Sequence, residues 1–292
     1  MDQVTVGDAV REVLPSQRDA EFVLMSLRPD DTLAIALRKL QGLKISGAPV
    51  LEDHSARSLR SARMVDLMDL ALAIVESAGR PEVFNTPVRL IAGSAKEGGA
   101  AGLPFIYNDA PFVEGVRALK QSRARRLLVL DQATDAPLAL LSQSSVVSWA
   151  LRHIKHLPAD LMAKPVSQLE CGSRVVTVKR DEPMPDALRR FVGEDKSGVA
   201  VVDDRGRVVA NLSLADLRCL TPENAAELLR LNVGAFLSAT QELPKDPVTC
   251  RPSATLTEAL HLLHSHRVYV TDEQGLPVGV FSTTDAVANL CP

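Results

Sequence analysis

The chain has 292 residues, a length typical of about two domains, and 46% of them are hydrophobic, which is enough for a sizeable buried core. Lysine and arginine total 33 and aspartate and glutamate total 36, so the formal net charge is −3. That balance gives no overall bias toward nucleic acid or anionic membranes. Aromatic residues make up only 3% of the chain, too few for stacking platforms on single-stranded nucleic acid.

The cysteines and the hydropathy pattern exclude further classes. None of the four cysteines lies in a C-x-x-C pair, so we expect no zinc knuckle, no redox dithiol and no bound metal. No stretch approaches 18 uninterrupted apolar residues, so we expect no membrane span. The first residues lack the basic start and apolar run of a secretory signal, so we expect the cytosol, with the nucleus as a second compartment.

Four segments of the chain share one layout. Each predicts an amphipathic helix, two β-rich runs joined by a turn, and a second helix. The first helices are predicted to begin near Thr32-Leu33, Pro111-Phe112, Pro183-Met184 and Thr255-Leu256. In the fourth segment, apolar residues recur at helical spacing from Leu256 to Leu263.

The β-rich runs predict hairpins. In the third segment, Val199–Val202 and Arg207–Ser213 flank the turn Asp203–Gly206, and the fourth segment repeats this pattern around Asp272–Gly275. We therefore predict an α/β (α+β) fold of four tandem β-α-β-β-α repeats. The predicted boundaries are 1–80, 81–157, 158–222 and 223–292. One repeat is near the lower size limit for independent stability, so we expect the repeats to pair into two pseudo-twofold modules, near 1–157 and 158–292.

The repeats resemble a known family. The run V-G-V-F-S-T-T-D-A-V, from Val278 to Val287, is similar to the end of a cystathionine-β-synthase (CBS) domain. V-V-A-N-L-S-L-A-D-L, from Val208 to Leu217, and M-V-D-L-M-D-L, from Met64 to Leu70, follow the same pattern. Four copies without a catalytic domain resemble the gamma regulatory subunit of AMP-activated and sucrose-non-fermenting-type protein kinases, including its plant and algal relatives. The resemblance implies paired CBS (Bateman) modules that bind AMP, ADP or ATP.

In that family, an aspartate at the start of the last helix of a repeat accepts hydrogen bonds from the ribose diol. The matching residues are Asp69, Asp216 and Asp285, and Ser145 breaks the pattern in the second repeat. In the sequence, each aspartate also immediately precedes a predicted apolar helix, where aspartate is a favoured N-cap. Both interpretations, ribose acceptor and helix cap, remain open from the sequence.

The resemblance also implies phosphate-binding positions near the centre of the disc formed by two modules. They match Arg125, Arg126, His266 and Arg267. Hydroxyls at the strand-to-helix turns are further candidate donors to phosphate or ribose, or else satisfy the first backbone N–H groups of the next helix. These hydroxyls belong to Ser142, Ser213, Ser282 and Thr284.

Two hypotheses about function follow from these residues. The first is a non-catalytic subunit that binds adenine nucleotides, without another cofactor, and transmits energy status to a protein kinase catalytic subunit and a beta-type scaffold subunit. The second is a docking scaffold with decayed pockets, which is favoured by serines at three positions where the resemblance predicts charge: Ser46, Ser144 and Ser145. We expect no enzymatic activity, nucleic-acid partner or membrane partner, and a homodimer is the other assembly considered.

Overall fold

The computed structural model describes residues 3–13, 25–43, 45–53, 62–91, 103–122, 124–172, 174–194, 196–240, 246–263 and 267–291. Within them, four repeats follow one another. Repeats 2, 3 and 4 have the predicted β-α-β-β-α order, whereas in the described part of repeat 1 an isolated parallel bridge between Leu27 and Val50 takes the place of the first strand. A short helix, α1 (Val6–Val13), comes first. Repeat 1 then contains α2 (Leu33–Gly42), β1 (Gly47–Val50), β2 (Arg63–Asp66), α3 (Leu67–Glu76), a 3-10 helix (Pro81–Asn85) and α4 (Val88–Ile91).

Repeat 2 has three strands, and its second helix has 10 residues, as in repeat 1. It contains β3 (Phe105–Tyr107), α5 (Phe112–Ser122), β4 (Arg126–Leu130), β5 (Pro137–Ser142), α6 (Gln143–Arg152) and a 3-10 helix (Ile154–His156). A connection with α7 (Ala159–Met162) and a 3-10 helix (Val166–Gln168) leads to repeat 3.

Repeats 3 and 4 have the same three-stranded plan. Repeat 3 contains β6 (Thr177–Lys179), α8 (Met184–Gly193), β7 (Gly198–Val202), β8 (Val208–Ser213), a 3-10 helix (Leu214–Cys219), α9 (Ala225–Leu228) and α10 (Val233–Thr240). Repeat 4 contains β9 (Thr249–Cys250), α11 (Leu256–Leu262), β10 (Arg267–Thr271), β11 (Pro277–Ser282) and α12 (Thr283–Leu290). The second helix of repeat 3 is a short 3-10 helix, and Pro222 opposes its continuation because it disfavours helical geometry at Thr221.

The first helix of every repeat begins at the predicted residue. Leu33, Phe112, Met184 and Leu256 are the first helical residues, and each is fully buried. A threonine side chain caps α2 and α11 by accepting a hydrogen bond from a backbone N–H in the first turn. The apolar stripe of each helix therefore enters the core from its first turn onward.

The predicted hairpins form with the predicted turns. β7 pairs with β8 and β10 pairs with β11, both antiparallel. Gly206 and Gly275 adopt positive φ angles of 77° and 83°, which favour glycine in tight turns. Asp203 and Asp272 accept hydrogen bonds from backbone N–H groups of the same turns. In repeats 2, 3 and 4 the first short strand adds in parallel to this hairpin.

A short segment from outside each β-α-β-β-α unit, which we call a strap, forms backbone hydrogen bonds at the start of the first helix. For repeat 2 the strap is residues 4–6, which lead into α1: the N–H of Phe112 donates to the carbonyl of Val4, and the N–H of Val6 donates to the carbonyl of Ala110. The other three repeats repeat this reciprocal pair, with straps at 86–88, 231–233 and 164–166. Helix α1, which precedes repeat 1 in the chain, thus packs into the core of repeat 2.

The repeats contact one another in two ways. Sheets meet within a module, where Leu51 and Met64 of repeat 1 pack against Leu128 and Leu130 of repeat 2. Helices meet between modules, where α3 packs on α8 and α6 packs on α12. The two large hydrophobic cores therefore join repeat 1 to repeat 3 and repeat 2 to repeat 4. We refer to repeats 1 and 2 as module 1 and to repeats 3 and 4 as module 2.

Candidate functional site at the strand–helix junctions

The predicted site residues gather where the hairpin of each repeat meets its second helix. In every repeat, the first residue of the first hairpin strand lies opposite the residue that ends the second strand and precedes the helix. These pairs, which we call the junctions, are Gly47–Asp66, Arg126–Ser142, Gly198–Ser213 and Arg267–Ser282. Because the backbone register is the same in all four repeats, equivalent residues lie at the same place in each junction.

The three predicted ribose aspartates all lie in capping boxes. Asp69 accepts a hydrogen bond from the N–H of Asp66 at 3.0 Å. Asp216 and Asp285 each accept two, from the N–H and the Oγ of the serine three residues earlier, at 2.6–2.8 Å. The contacts from Ser282 both go to Oδ2 of Asp285. The aspartates are therefore not the N-cap residues that the sequence suggested: they lie in the first turn, three residues after the N-cap, and the capping-box bonds engage one oxygen of each carboxylate.

The predicted hydroxyl donors also act locally. Ser142 caps α6, accepting from the N–H of Ser145 at 3.0 Å and lying 2.8 Å from its Oγ. Ser213 and Ser282 donate to the capping-box aspartates. Thr284 differs, because its hydroxyl donates to Oε1 of Gln143 in repeat 2 at 2.9 Å. These hydroxyls stabilise helix starts and, at Thr284, a contact between modules.

The predicted phosphate arginines make a matching pair of contacts. Arg126 donates from Nη2 to Oγ of Ser46 at 2.5 Å, and Arg267 donates from Nη2 to Oγ of Ser197 at 2.8 Å. Each arginine thus crosses from the even repeat to the odd repeat of its own module. Arg267 is 7% exposed, and a Cβ built at Gly198 would lie 1.4 Å from its Nη1. The Arg267 guanidinium therefore lies directly against the glycine backbone. His266 lies outside the described residues.

Arg125 is held by an acidic group of the neighbouring repeat. Its Nη1 lies 3.4 Å from Oδ2 of Asp66, which is 4% exposed and caps α3 through its other oxygen. Such a pair balances two charges that would be costly to bury separately. In module 1, Asp66 therefore offsets part of the positive charge that the resemblance assigns to phosphate.

Module 2 concentrates a half-buried acid and cations around one junction. Burial raises the pKa of Asp285 above its ordinary value, and the hydrogen bonds from Ser282, followed by the positive charge of Lys196, partly oppose that rise. Lys196 is next to Ser197, the partner of Arg267, and Arg267 faces Ser282 across the hairpin. Asp285 and Arg267 are thus joined through Ser282 and lie beside the same stretch of repeat 3. This arrangement can present a carboxylate and a guanidinium to one ligand.

Tyr269 ties the two sheets of module 2 together. Its Oη donates to Oδ1 of Asn211 at 2.6 Å, and the tyrosine is 2% exposed. Burial raises the pKa of Tyr269 to about 12, although Arg267 acts in the opposite direction. The phenol of Tyr269 therefore stays neutral throughout the physiological pH range and keeps its hydrogen bond to Asn211.

Sequence reasoning missed five contributors to these junctions: Asp66, Lys196, Ser197, Gln143 and Tyr269. Ser197 had a visible signal, because Ser46-Gly47 and Ser197-Gly198 repeat one dipeptide at equivalent positions. Gln143 also had one, since it occupies a first helical position where repeats 1 and 3 have leucine. The pairing of Tyr269 with Asn211 had no signal, because it depends on how two sheets meet.

Among the described residues, no group of three or more His, Cys, Asp or Glu side chains is arranged to hold a metal ion. The helices in the same part of the chain are too short or too polar to cross a bilayer.

Comparisons with known proteins agree with this architecture. The CBS domain family matches residues 159–220 and 241–291, which correspond to repeats 3 and 4. A crystal structure from Methanocaldococcus jannaschii, of a protein proposed to be an archaeal homologue of g-AMPK, superimposes with a TM-score of 0.72. That match covers 92% of this chain and 96% of the archaeal one at 14% identity, so it supports the fold alone. Residues 159–220 and 241–291 therefore form CBS domains, and repeats 1 and 2 share their fold.

Its curated relatives include kinase regulatory subunits. The chain is 25% identical to the SNF1-related protein kinase regulatory subunit gamma-like PV42b of Arabidopsis thaliana, over 98% of this chain and 89% of the relative. It is 31% identical to protein sds23 of Aspergillus niger, over 92% of this chain but 57% of that protein. It is 28% identical to the 5'-AMP-activated protein kinase subunit gamma-3 of Sus scrofa, over 63% of this chain and 37% of the relative. The chain thus resembles gamma-type regulatory subunits.

Proposed function

We propose that this chain is a non-catalytic regulatory subunit that binds an adenine nucleotide, AMP, ADP or ATP, in module 2. Binding would report energy status to a protein kinase catalytic subunit and a beta-type scaffold subunit in the cytoplasm. The observation that carries the proposal is the junction of repeat 4, where the half-buried Asp285 is bonded to Ser282, the hairpin partner of Arg267, and is near the positive charge of Lys196. The names of the gamma-type relatives support the same class of function.

The chemistry of the junction suits the parts of a nucleotide. The carboxylate of Asp285 is an acceptor for two ribose hydroxyls, and Arg267 with Lys196 supplies positive charge for phosphate. Module 2 is favoured over module 1 because Asp66 already pairs with Arg125 and because Ser145 replaces an aspartate. The match of the CBS family to repeats 3 and 4 supports this choice.

The mechanism is thermodynamic linkage. A nucleotide that binds one arrangement of the two modules more tightly than another stabilises that arrangement, and a bound kinase responds to the change. A tenfold preference corresponds to about 1.4 kcal/mol, whereas a nucleotide without a preference would shift nothing.

Isothermal titration with AMP, ADP and ATP tests the proposal on the wild type and on Asp285→Asn. The matched control is Glu258→Gln, because Glu258 closes the same kind of capping box on α11, where its carboxylate is exposed. We expect Asp285→Asn to weaken binding about tenfold or more and Glu258→Gln to leave it unchanged. Absence of binding at millimolar nucleotide, or equal loss in both variants, would contradict the proposal.

The pH dependence of binding supplies a second readout. Because burial raises the pKa of Asp285, its carboxylate takes up a proton at a higher pH than an ordinary aspartate does. A protonated carboxyl accepts fewer hydrogen bonds, so wild-type affinity should fall as the pH drops through this raised pKa. The asparagine variant lacks this titration, and the difference between the two pH profiles isolates it from the titration of the phosphate.

The docking scaffold remains the second candidate function. The hydrogen bonds that occupy the serine hydroxyls and one oxygen of each aspartate favour the scaffold, since these bonds stabilise the fold by themselves. The scaffold function would be supported if the chain pulled down a kinase catalytic or beta-type subunit but released no heat in titrations with AMP, ADP and ATP. Recovery of a monomer or homodimer alone would argue against both kinase-linked functions.

A further inference from the structure

A polar contact joins the two modules at the helix starts of repeats 2 and 4. Both hydroxyls at the start of α12 donate to Oε1 of Gln143, the first residue of α6: Thr283 at 3.3 Å and Thr284 at 2.9 Å. Gln143 is 6% exposed, so its amide is shielded from water. We call Gln143, Thr283 and Thr284 the polar seam.

The equivalent contact between repeats 1 and 3 is apolar. Leu67 and Leu214 occupy the same first helical position after the junction, and both belong to one hydrophobic core. Apolar burial is non-directional and tolerates small displacements, whereas hydrogen bonds require defined distances and angles. Of the two interfaces between modules, the polar seam is therefore the one whose geometry depends on the exact positions of the helix starts.

Gln143 also connects to the segment that carries the predicted phosphate arginines. Its Nε2 donates to the carbonyl of Ala124 at 3.3 Å, and its backbone N–H donates to the carbonyl of Arg125 at 3.1 Å. On the other side of the seam, Thr284 directly precedes Asp285. One buried side chain thus touches the segment leading into Arg125 and Arg126 in module 1 and the helix start bearing Asp285 in module 2.

We infer that Gln143 is a positioning residue that couples the nucleotide-binding junction of module 2 to the arginine segment of module 1. The inference rests on the proposed function for the identity of the ligand. A nucleotide held by Asp285 restrains the start of α12, and the restraint passes through Thr283 and Thr284 to Gln143 and then to Ala124. Because a buried amide that loses its partners is costly, the two sides of the seam move together.

The ligand-free test measures hydrogen exchange across the seam. The variants are Gln143→Leu, which copies the residue of repeats 1 and 3, and Thr283→Val combined with Thr284→Val. Their controls are Gln168→Leu, at an exposed glutamine, and Thr257→Val, which removes a hydroxyl bond to Met162 outside the seam. Circular dichroism verifies that each variant folds.

We expect amides of residues 126–130 to exchange about fivefold faster in both seam variants and at the wild-type rate in the controls. The threonine variant is decisive, because its changes lie in module 2 and the measured amides lie in module 1. Combining all three substitutions should add little to either variant, as expected for groups that act through one contact. Unchanged exchange in the threonine variant would overturn the inference.

Adding AMP separates this inference from the proposed function. In the wild type, saturating AMP should slow exchange in residues 126–130, and Gln143→Leu should bind AMP about fivefold more weakly and lose the slowing. A variant that binds AMP and still shows the full slowing would overturn the inference and leave the proposed function intact. Faster ligand-free exchange in the seam variants, without binding of AMP, ADP or ATP to any of these proteins, would support the coupling and overturn the proposed function.

Discussion

At the residue scale, single atoms decide how the arginines of the junctions are placed. Arg267 reaches Ser197 only because Gly198 has no side chain, since a Cβ there would overlap the guanidinium and would also lie 2.9 Å from the carbonyl of Leu212. Gly47 is similarly close to Asp66 in repeat 1. Both residues of the Ser-Gly dipeptide therefore place the arginine: the serine accepts a hydrogen bond from it, and the glycine leaves space for its guanidinium.

Gly198→Ala should displace the Arg267 side chain and break its bond to Ser197. We expect a loss of about 1–3 kcal/mol in the free energy of unfolding, the usual effect of inserting a methyl group into a packed site. Gly193→Ala is the matched control, because nothing lies within 4 Å of a Cβ at Gly193 and alanine favours the end of α8. Denaturant unfolding measures both, and equal stabilities would contradict the placement of Arg267.

At the element scale, each junction uses one set of backbone positions to end a strand and start a helix. Ser282 both pairs with Arg267 in the hairpin and caps α12, so the strand and the helix share a residue. The capping box orients Asp285 without a contribution from distant parts of the chain. Sheet contacts within a module are different, because they depend on side chains from two repeats.

Tyr269→Phe tests the contact between the sheets of module 2. Removing Oη leaves Oδ1 of Asn211 without the 2.6 Å bond, and we expect unfolding free energy to fall by about 1–3 kcal/mol. The control is Tyr107→Phe, the other tyrosine of the chain, which is half-buried where Tyr269 is buried and whose bond to Asp135 is longer, at 3.2 Å. Its loss should cost about 1 kcal/mol or less. Chemical denaturation compares the two, and a larger effect at Tyr107 would contradict this account.

At the scale of the whole molecule, each of the two large hydrophobic cores extends across both modules. One large core joins repeats 1 and 3, and the other joins repeats 2 and 4, while sheet contacts join the repeats within each module. Separating the modules would split both cores. We therefore expect the whole chain to unfold as one cooperative unit.

Leu214→Ala tests this cooperativity. Leu214 is 5% exposed in the core of repeats 1 and 3, and its truncation should cost about 2–5 kcal/mol. Trp149, the only tryptophan, lies in the other core, so its fluorescence reports on repeats 2 and 4. We expect the Trp149 transition to shift together with the circular dichroism signal. An unshifted Trp149 transition would show that the two cores unfold independently.

The sequence by itself determined the features that depend on neighbours along the chain. Helical periodicity predicted the starts of the first helices at Leu33, Phe112, Met184 and Leu256, and Asp/Gly turns predicted the hairpins. The aspartates are within three residues of their caps, so both of their interpretations were available without a structure. These features follow from local sterics, periodicity and capping, which a short window of sequence records.

Only the tertiary structure decided which repeats share a core and which side chains meet across the chain. Gln143 and Thr284 are 141 residues apart, and Arg126 and Ser46 are 80 apart. The exchange of straps, including α1 in the core of repeat 2, likewise has no local pattern. The apolar faces of the four repeats have similar composition, so the sequence does not distinguish which face packs against which. Their partners are selected by the shape and hydrogen bonding of the complete assembly.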